Sequence, residues 1–435
     1  MKKEQSSLNF YHPLTPGKTA SETSFWINFV ALALATGALV PFRFMGYQNY
    51  TVLFILFAVL VTAGVVVLEY FFYPQTSVLR TWKILRRVNI KRVIYKEIAL
   101  IVTFGVIGIF YALFPMFSYN DFILKYFPFL KTLMPWVIVG SFPYFCLMDK
   151  IDKDPEDVYY KMGIALTHFE KTMTAFEFGN YVRSWLVKAF WLSLMQPPMI
   201  EKITWLISYD WNMMRGNPVE WFWTCNVICF FIDLAYASVG YMMNLKILNT
   251  QTRTAEPTLF GWTVAILCYW PFWGVLFYPF FFKYDGAGWM NTFTAGSPLF
   301  YLWFFMIIGL ELLYALATVS AGIRFSNVTY RGLWNTGLYR LTKHPAYVFK
   351  NISWWLISMP FLMDGDLKAL KCSALLFGVN IIYYLRAKTE ERHLSHYPEY
   401  EAYALEMNNK SIFRWCADIL PFLKYKPLKK EERLF

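Results

Sequence analysis

The fold class predicted for this chain is all-α, a polytopic transmembrane helical bundle, and three observations predict it. Of 435 residues, 57% are hydrophobic and 16% charged, whereas soluble proteins carry roughly a quarter charged residues. Apolar runs long enough to cross a bilayer, roughly 20 residues, recur from one end to the other. The Lys and Arg behind the net charge of +12 fall in alternate loops, as the positive-inside rule expects. Length alone would suggest about three soluble domains, and the apolar runs overrule it. The 18 Trp and 30 Tyr agree, because such rings favour the membrane interface.

The runs predict about ten spans. The first two cover residues 24–42 and 51–73, the next two 98–117 and 128–148. The fifth, 184–209, is the weakest, because it holds Lys188, Pro197, Pro198, Glu201 and Lys202; it is expected to be broken or interfacial. Residues 220–243, 259–282 and 298–323 supply the sixth to eighth. The ninth and tenth, 346–363 and 367–385, form a hairpin turned by Asp364-Gly365-Asp366. The first run follows a polar leader and lacks a small-residue cleavage site, so it is expected to stay in the membrane.

Loop charge sets the orientation. Residues 74–96 carry Arg80, Lys83, Arg86, Arg87, Lys91, Arg92 and Lys96, and 149–183 carry Lys150, Lys153, Lys161, Lys171 and Arg183. Lys246 and Arg253, then Arg324, Arg331, Arg340 and Lys343, mark two further basic loops, and the tail is basic from Lys424 onward. The loops between these are poorer in cations. An even number of spans with both termini cytoplasmic satisfies this alternation. The same pattern argues against nucleic-acid binding, because the basic residues are spread over membrane-flanking loops.

The remaining polar features are weak signals. Six cysteines lie mostly in apolar runs, with Cys225 and Cys229 one helical turn apart, so neither a disulfide framework nor a metal site is expected. Asp149, Asp152, Asp154, Glu156 and Asp157 form a carboxylate run without the glycine and terminal Glu of a calcium loop; a solvated loop is the expectation. Asp233 and Glu311 fall mid-span, where a charge is costly and faces a cavity or a partner. An acceptor channel and an interhelical bond, for instance to Asn380, are the two readings.

Residues 337–403 are the informative stretch. Gly337 and Pro345 bracket a turn at a membrane entry, with Tyr339, Arg340, Lys343, His344 and Tyr347 between and beside them. Arg386 and Glu390 are four apart and share a helix face. A tight hairpin returns both its ends to one surface, so His344 can approach Arg386. Cation, imidazole, carboxylate and tyrosine together suit a small zwitterionic, carboxylate-bearing or phosphate-bearing molecule. Interfacial anchoring by Arg, Lys and Tyr is the alternative.

The pattern Gly337-x-Tyr339-Arg340-x-x-Lys343-His344-Pro345-x-Tyr347, a hairpin, then Arg386-Ala387-x-x-Glu390-Glu391 and the pair Tyr400 and Tyr403 resembles the isoprenylcysteine carboxyl methyltransferase family, whose wider group includes membrane phospholipid methyltransferases. The resemblance covers only about the last hundred residues. It implies an integral-membrane enzyme that binds S-adenosylmethionine at the cytoplasmic side and methylates a membrane lipid or lipid-linked acceptor. It implies cofactor-binding roles for Tyr339, Arg340, His344, Pro345, Tyr347, Glu391, Tyr400 and Tyr403, and places Arg386 and Glu390 at the reacting centre; no metal is implied. Residues 298–435 would form this methyltransferase-like domain with its cytoplasmic tail, and 1–297 an N-terminal transmembrane region of unassigned role. An NADPH-dependent reductase resembling the sterol reductases, whose R-H-x-N-Y-x-G-D pattern this chain does not follow, is the enzymatic alternative. A non-enzymatic transporter or scaffold is the third reading, although no internal repeat of the transporter kind is visible.

Overall fold

In lipid a chain can satisfy its backbone polar groups only by bonding within a helix or a closed barrel, and runs rich in Leu, Ile, Val, Phe and Ala take the helical route here. The computed structural model describes residues 21–74, 77–80, 82–113, 126–275 and 288–429. Seven of the described helices are long and apolar enough to cross a membrane. They are α1 (Phe25–Phe44), α2 (Tyr50–Phe72), α3 (Ile90–Leu113), α4 (Tyr126–Ile151), α7 (Pro218–Met242), α10 (Pro298–Ala321) and α12 (Asp366–Leu394). The chain is thus an integral membrane protein of helical architecture.

Several expected spans look different in the structure. The third is described as α3 from Ile90 to Leu113, and residues 114–117 lie outside the described residues. The fifth is neither broken nor short: α6 (Ala175–Ser208) is one helix of 34 residues that runs through Pro197 and Pro198. Thr174 and Glu177 close its N-terminus as a capping box, which satisfies two otherwise orphaned N–H groups. The seventh is α-helical over α8 (Leu259–Ile266), passes through turns at 267–271 and is helical again over 272–275; residues 276–282 lie outside the described residues. The ninth is α11 (Pro345–Ser358), whose 14 residues reach about 21 Å, short of a hydrocarbon core of about 30 Å.

The tenth expected span is exceeded instead. The 29 residues of α12 reach about 43 Å, so two to three turns continue past the apolar part. Arg386, Glu390 and Glu391 therefore stand on one uninterrupted helix. Short α5 (Val158–His168), α9 (Gly288–Thr292), α13 (Pro398–Lys410) and α14 (Arg414–Ile419) complete the helices described.

Packing puts α10 at the centre of the C-terminal half, where it contacts both α7 and α11, while α1 packs on α2 and α6 on α7. A two-stranded antiparallel ladder, β1 (Thr254–Ala255) with β2 (Thr329–Tyr330), joins the middle of the chain to the loop before the hairpin. Arg331, fully buried, staples that loop. Its guanidinium donates to the carbonyls of Thr250 at 2.5 Å, Gly240 at 2.8 Å, Phe325 at 2.9 Å and Met243 at 3.3 Å. Gly337 then turns the chain at φ +56°, where a Cβ would lie 2.4 Å from Ser320 Oγ and 2.6 Å from Phe25 Cδ2. Only glycine fits that turn without strain.

The acidic run is spent on ion pairs. Asp149 accepts from Arg92 Nε at 2.8 Å and Asn89 N at 2.7 Å, Asp152 pairs with Lys246, and Asp157 pairs with buried Lys96 at 2.9 Å while capping α5. Among the described residues, His, Cys, Asp and Glu form no group able to hold a metal ion.

Candidate functional site

The helical period puts selected side chains on common faces. On α12, Tyr383, Arg386, Glu390 and His393 recur every three or four residues, and on α11 Lys350 lies three residues after Tyr347 and four after Ala346. Neighbours at these spacings lie one above another. Both faces line a single deep cavity, closed by Asp233 and Ala237 of α7, Tyr314 and Thr318 of α10, the 325–334 loop and Tyr400 and Tyr403 of α13. The space between its atoms is about 1430 Å³, open solvent at the mouth included.

Arg386 is the buried centre of the wall. Nη2 donates to Asn327 Oδ1 at 2.6 Å and to Tyr269 Oη at 3.5 Å. The guanidinium lies 4.9 Å from the Tyr347 ring centre and 5.4 Å from that of Tyr269, an arrangement that holds a cation by the ring quadrupoles. Glu390 Oε1 lies 3.5 Å from Arg386 Nε and accepts a short hydrogen bond from the Tyr347 hydroxyl. His344 stacks on Tyr347 with ring centres 5.6 Å apart and an interplanar angle of 5°.

Glu391 faces the other way. Buried, it pairs with Lys343 at 2.8 Å, Lys388 at 2.8 Å and His344 Nε2 at 3.2 Å. Burial lowers the Lys343 pKa, while Glu391 opposes that shift. Tyr403 donates to the Tyr339 carbonyl at 2.7 Å, which pins α13 over the turn at Gly337–Arg340. Burial raises the hydroxyl pKa of Tyr339, Tyr400 and Tyr403, so these groups stay protonated. A polar seam continues on the far side: His393 Nε2 meets Thr254 Oγ1 at 3.0 Å, and Arg392 pairs with Glu256 at 3.1 Å.

Of the residues singled out in the sequence, Tyr339, His344, Tyr347, Arg386, Glu390, Tyr400 and Tyr403 line the cavity together. Arg340, Pro345 and Glu391 do not. Arg340 is exposed and reaches the Asn335 carbonyl at 3.4 Å, Pro345 starts α11, and Glu391 lies behind the wall. Asp233 joins the wall and accepts from Tyr314 at 2.7 Å and from Thr318. Asn380 is not its partner; that amide bonds Asn351 at 2.6 Å and Trp355 at 2.8 Å. Glu311 takes the Asn226 amide at 3.0 Å and 2.9 Å, away from the cavity.

Sequence reading missed Tyr269, Asn327, Tyr383 and Lys350. An ionisable group inside an apolar run, the signal that picked out Asp233, was present for Lys350 as well. For Tyr269 and Tyr383 there was none, since tyrosines occur throughout the chain.

Residues 302–407 match the family described as "Protein of unknown function (DUF1295)". The match runs from α10 through α13 and so includes the hairpin and the tail tyrosines; Asp233, Glu256 and Tyr269 lie before it. No curated protein and no solved structure gives a significant match.

Proposed function

We propose that the chain is an integral-membrane methyltransferase that uses S-adenosylmethionine to methylate a membrane lipid or lipid-linked acceptor. The charge of the cavity wall carries this reading. Asp233, Glu256 and Glu390 balance Lys343, Lys350 and Arg386, among eight tyrosines. A dinucleotide with several phosphates calls for an excess of cations. A donor with one sulfonium and an amino-acid group calls for both signs and for aromatic faces, which attract cations. Arg386 Nε, buried and 3.5 Å from Glu390 Oε1 but in no hydrogen bond, can turn its N–H to such a ligand.

In this reading His344, Tyr339, Tyr347, Tyr400 and Tyr403 surround the donor, and Arg386 and Glu390 stand at the reacting centre. The bound donor supplies an electrophilic methyl group. The residues of the chain hold donor and acceptor in line and keep water away, where most of the rate of a displacement is gained. A carboxylate acceptor needs no base, and Arg386 orients it. For a hydroxyl or amine, Glu390 is the group placed to take the proton. The basic loops beside the site support a cytoplasmic mouth, which suits a cytosolic cofactor.

Calorimetric titration of the purified full chain in detergent, separately with S-adenosylhomocysteine and with NADPH, tests the proposal. Saturable binding of the first and a flat trace with the second is the expected result. The reverse outcome assigns a reductase, and two flat traces leave a non-enzymatic role.

A further inference from the structure

The inner end of the cavity is built by helices that the C-terminal motif does not contain. Asp233 and Ala237 on α7 are one turn apart, as are Tyr314 and Thr318 on α10, so each helix turns one face inward. Both Asp233 oxygens are engaged, one by the Tyr314 hydroxyl at 2.7 Å and the other by Thr318. Lys350 enters the same space from α11. Its ammonium lies over the rings of Tyr314 at 5.1 Å, Trp354 at 5.3 Å and Tyr383 at 5.9 Å. Among the described residues it has no hydrogen bond and no ion pair.

An ammonium has three donors and no acceptor; the ring faces and the nearby Asp233 carboxylate offset its charge, but both Asp233 oxygens are engaged by hydroxyls and leave its N–H groups without an acceptor. The missing partner is an acceptor, and a negative one suits best, because charge-assisted bonds are the stronger kind. We propose that Lys350 anchors a subsite for the anionic end, carboxylate or phosphate, of a membrane-embedded amphiphile. Identifying that amphiphile with the methyl acceptor rests on the methyltransferase reading; the binding itself does not. The N-terminal region then has a role, since α7 supplies Asp233 and Ala237 to the wall against which this end is held.

The test uses the full chain in detergent with three probes of one chain length: oleic acid, oleyl phosphate and oleyl alcohol. Binding is read by tryptophan fluorescence. In the wild type the better anion should bind roughly tenfold or more tightly than the alcohol, and comparing the two anions tells carboxylate from phosphate. Lys350→Met should erase the preference, Lys350→Arg should keep most of it, and Asp233→Asn should widen it by removing the nearby negative charge. Equal affinity for anion and alcohol in the wild type overturns the subsite, as does a preference that survives in Lys350→Met. The thermal melting curve of the same samples reports the fold, and their S-adenosylhomocysteine titration separates the two ideas. Anion preference without its binding keeps the subsite and sinks the methyltransferase; its binding without anion preference does the opposite.

Discussion

Arg386 shows how much one side chain is asked to do. It is buried, bonded to Asn327, flanked by two tyrosine rings and paired through Nε with Glu390 at 3.5 Å. A lysine keeps the charge but loses the planar fork and the stacking. Arg386→Lys is therefore expected to weaken S-adenosylhomocysteine binding at least tenfold while the detergent melting curve stays close to wild type. His344→Ala should cost roughly ten- to a hundredfold in the same titration, the value of one hydrogen bond to a charged group. Glu391 gives the contrast. It neutralises Lys343 and Lys388 behind the wall, and breaking a buried pair costs about 3–5 kcal/mol. Glu391→Gln should thus lower the melting temperature, and ligand affinity measured well below that temperature should change little. A larger loss of affinity than of stability would return Glu391 to the cofactor pocket.

At the scale of elements, the loop between α10 and α11 decides whether the site exists. Two of the carbonyls that Arg331 binds, those of Gly240 and Met243, belong to the C-terminal end of α7. Carbonyls there lack helical partners and carry the negative end of the helix dipole. Arg331→Met leaves four carbonyls short of a donor and is expected to destabilise the fold by more than about 3 kcal/mol, read as an early thermal transition in detergent. Gly337→Ala meets both the positive φ and the clash with Ser320 and Phe25. Its expected cost is about 1–3 kcal/mol, and an unchanged melting curve would contradict the turn. Both residues were noticed in the sequence, Arg331 only as loop charge and Gly337 as a turn. Neither neighbour set is visible there, because their partners lie far along the chain.

For the whole molecule, the basic loops predict one orientation. With the native cysteines replaced, single cysteines at Lys83 and Lys424 should escape a membrane-impermeant maleimide on intact cells, and one at Met213 should react. Labelling at position 83 would overturn the topology. The cavity draws on both sides of the expected 297/298 boundary, with Asp233, Glu256 and Tyr269 from before it and Tyr314, Arg386 and Tyr403 from after it.

The sequence by itself determined that the chain is a helical membrane protein, roughly where α1, α2, α4, α7 and α10 begin and end, and that the hairpin gathers His344, Tyr347, Arg386 and Glu390. These are local properties: hydropathy over a window, charge beside it, and spacing along one helix or across one tight turn. Only the tertiary structure decided that α6 stays whole through its two prolines, that Glu391 points away from the site, and that Asp233 and Lys350 share one chamber. Each of those depends on how helices distant in sequence pack, and periodicity names the face of a helix without naming what that face will meet.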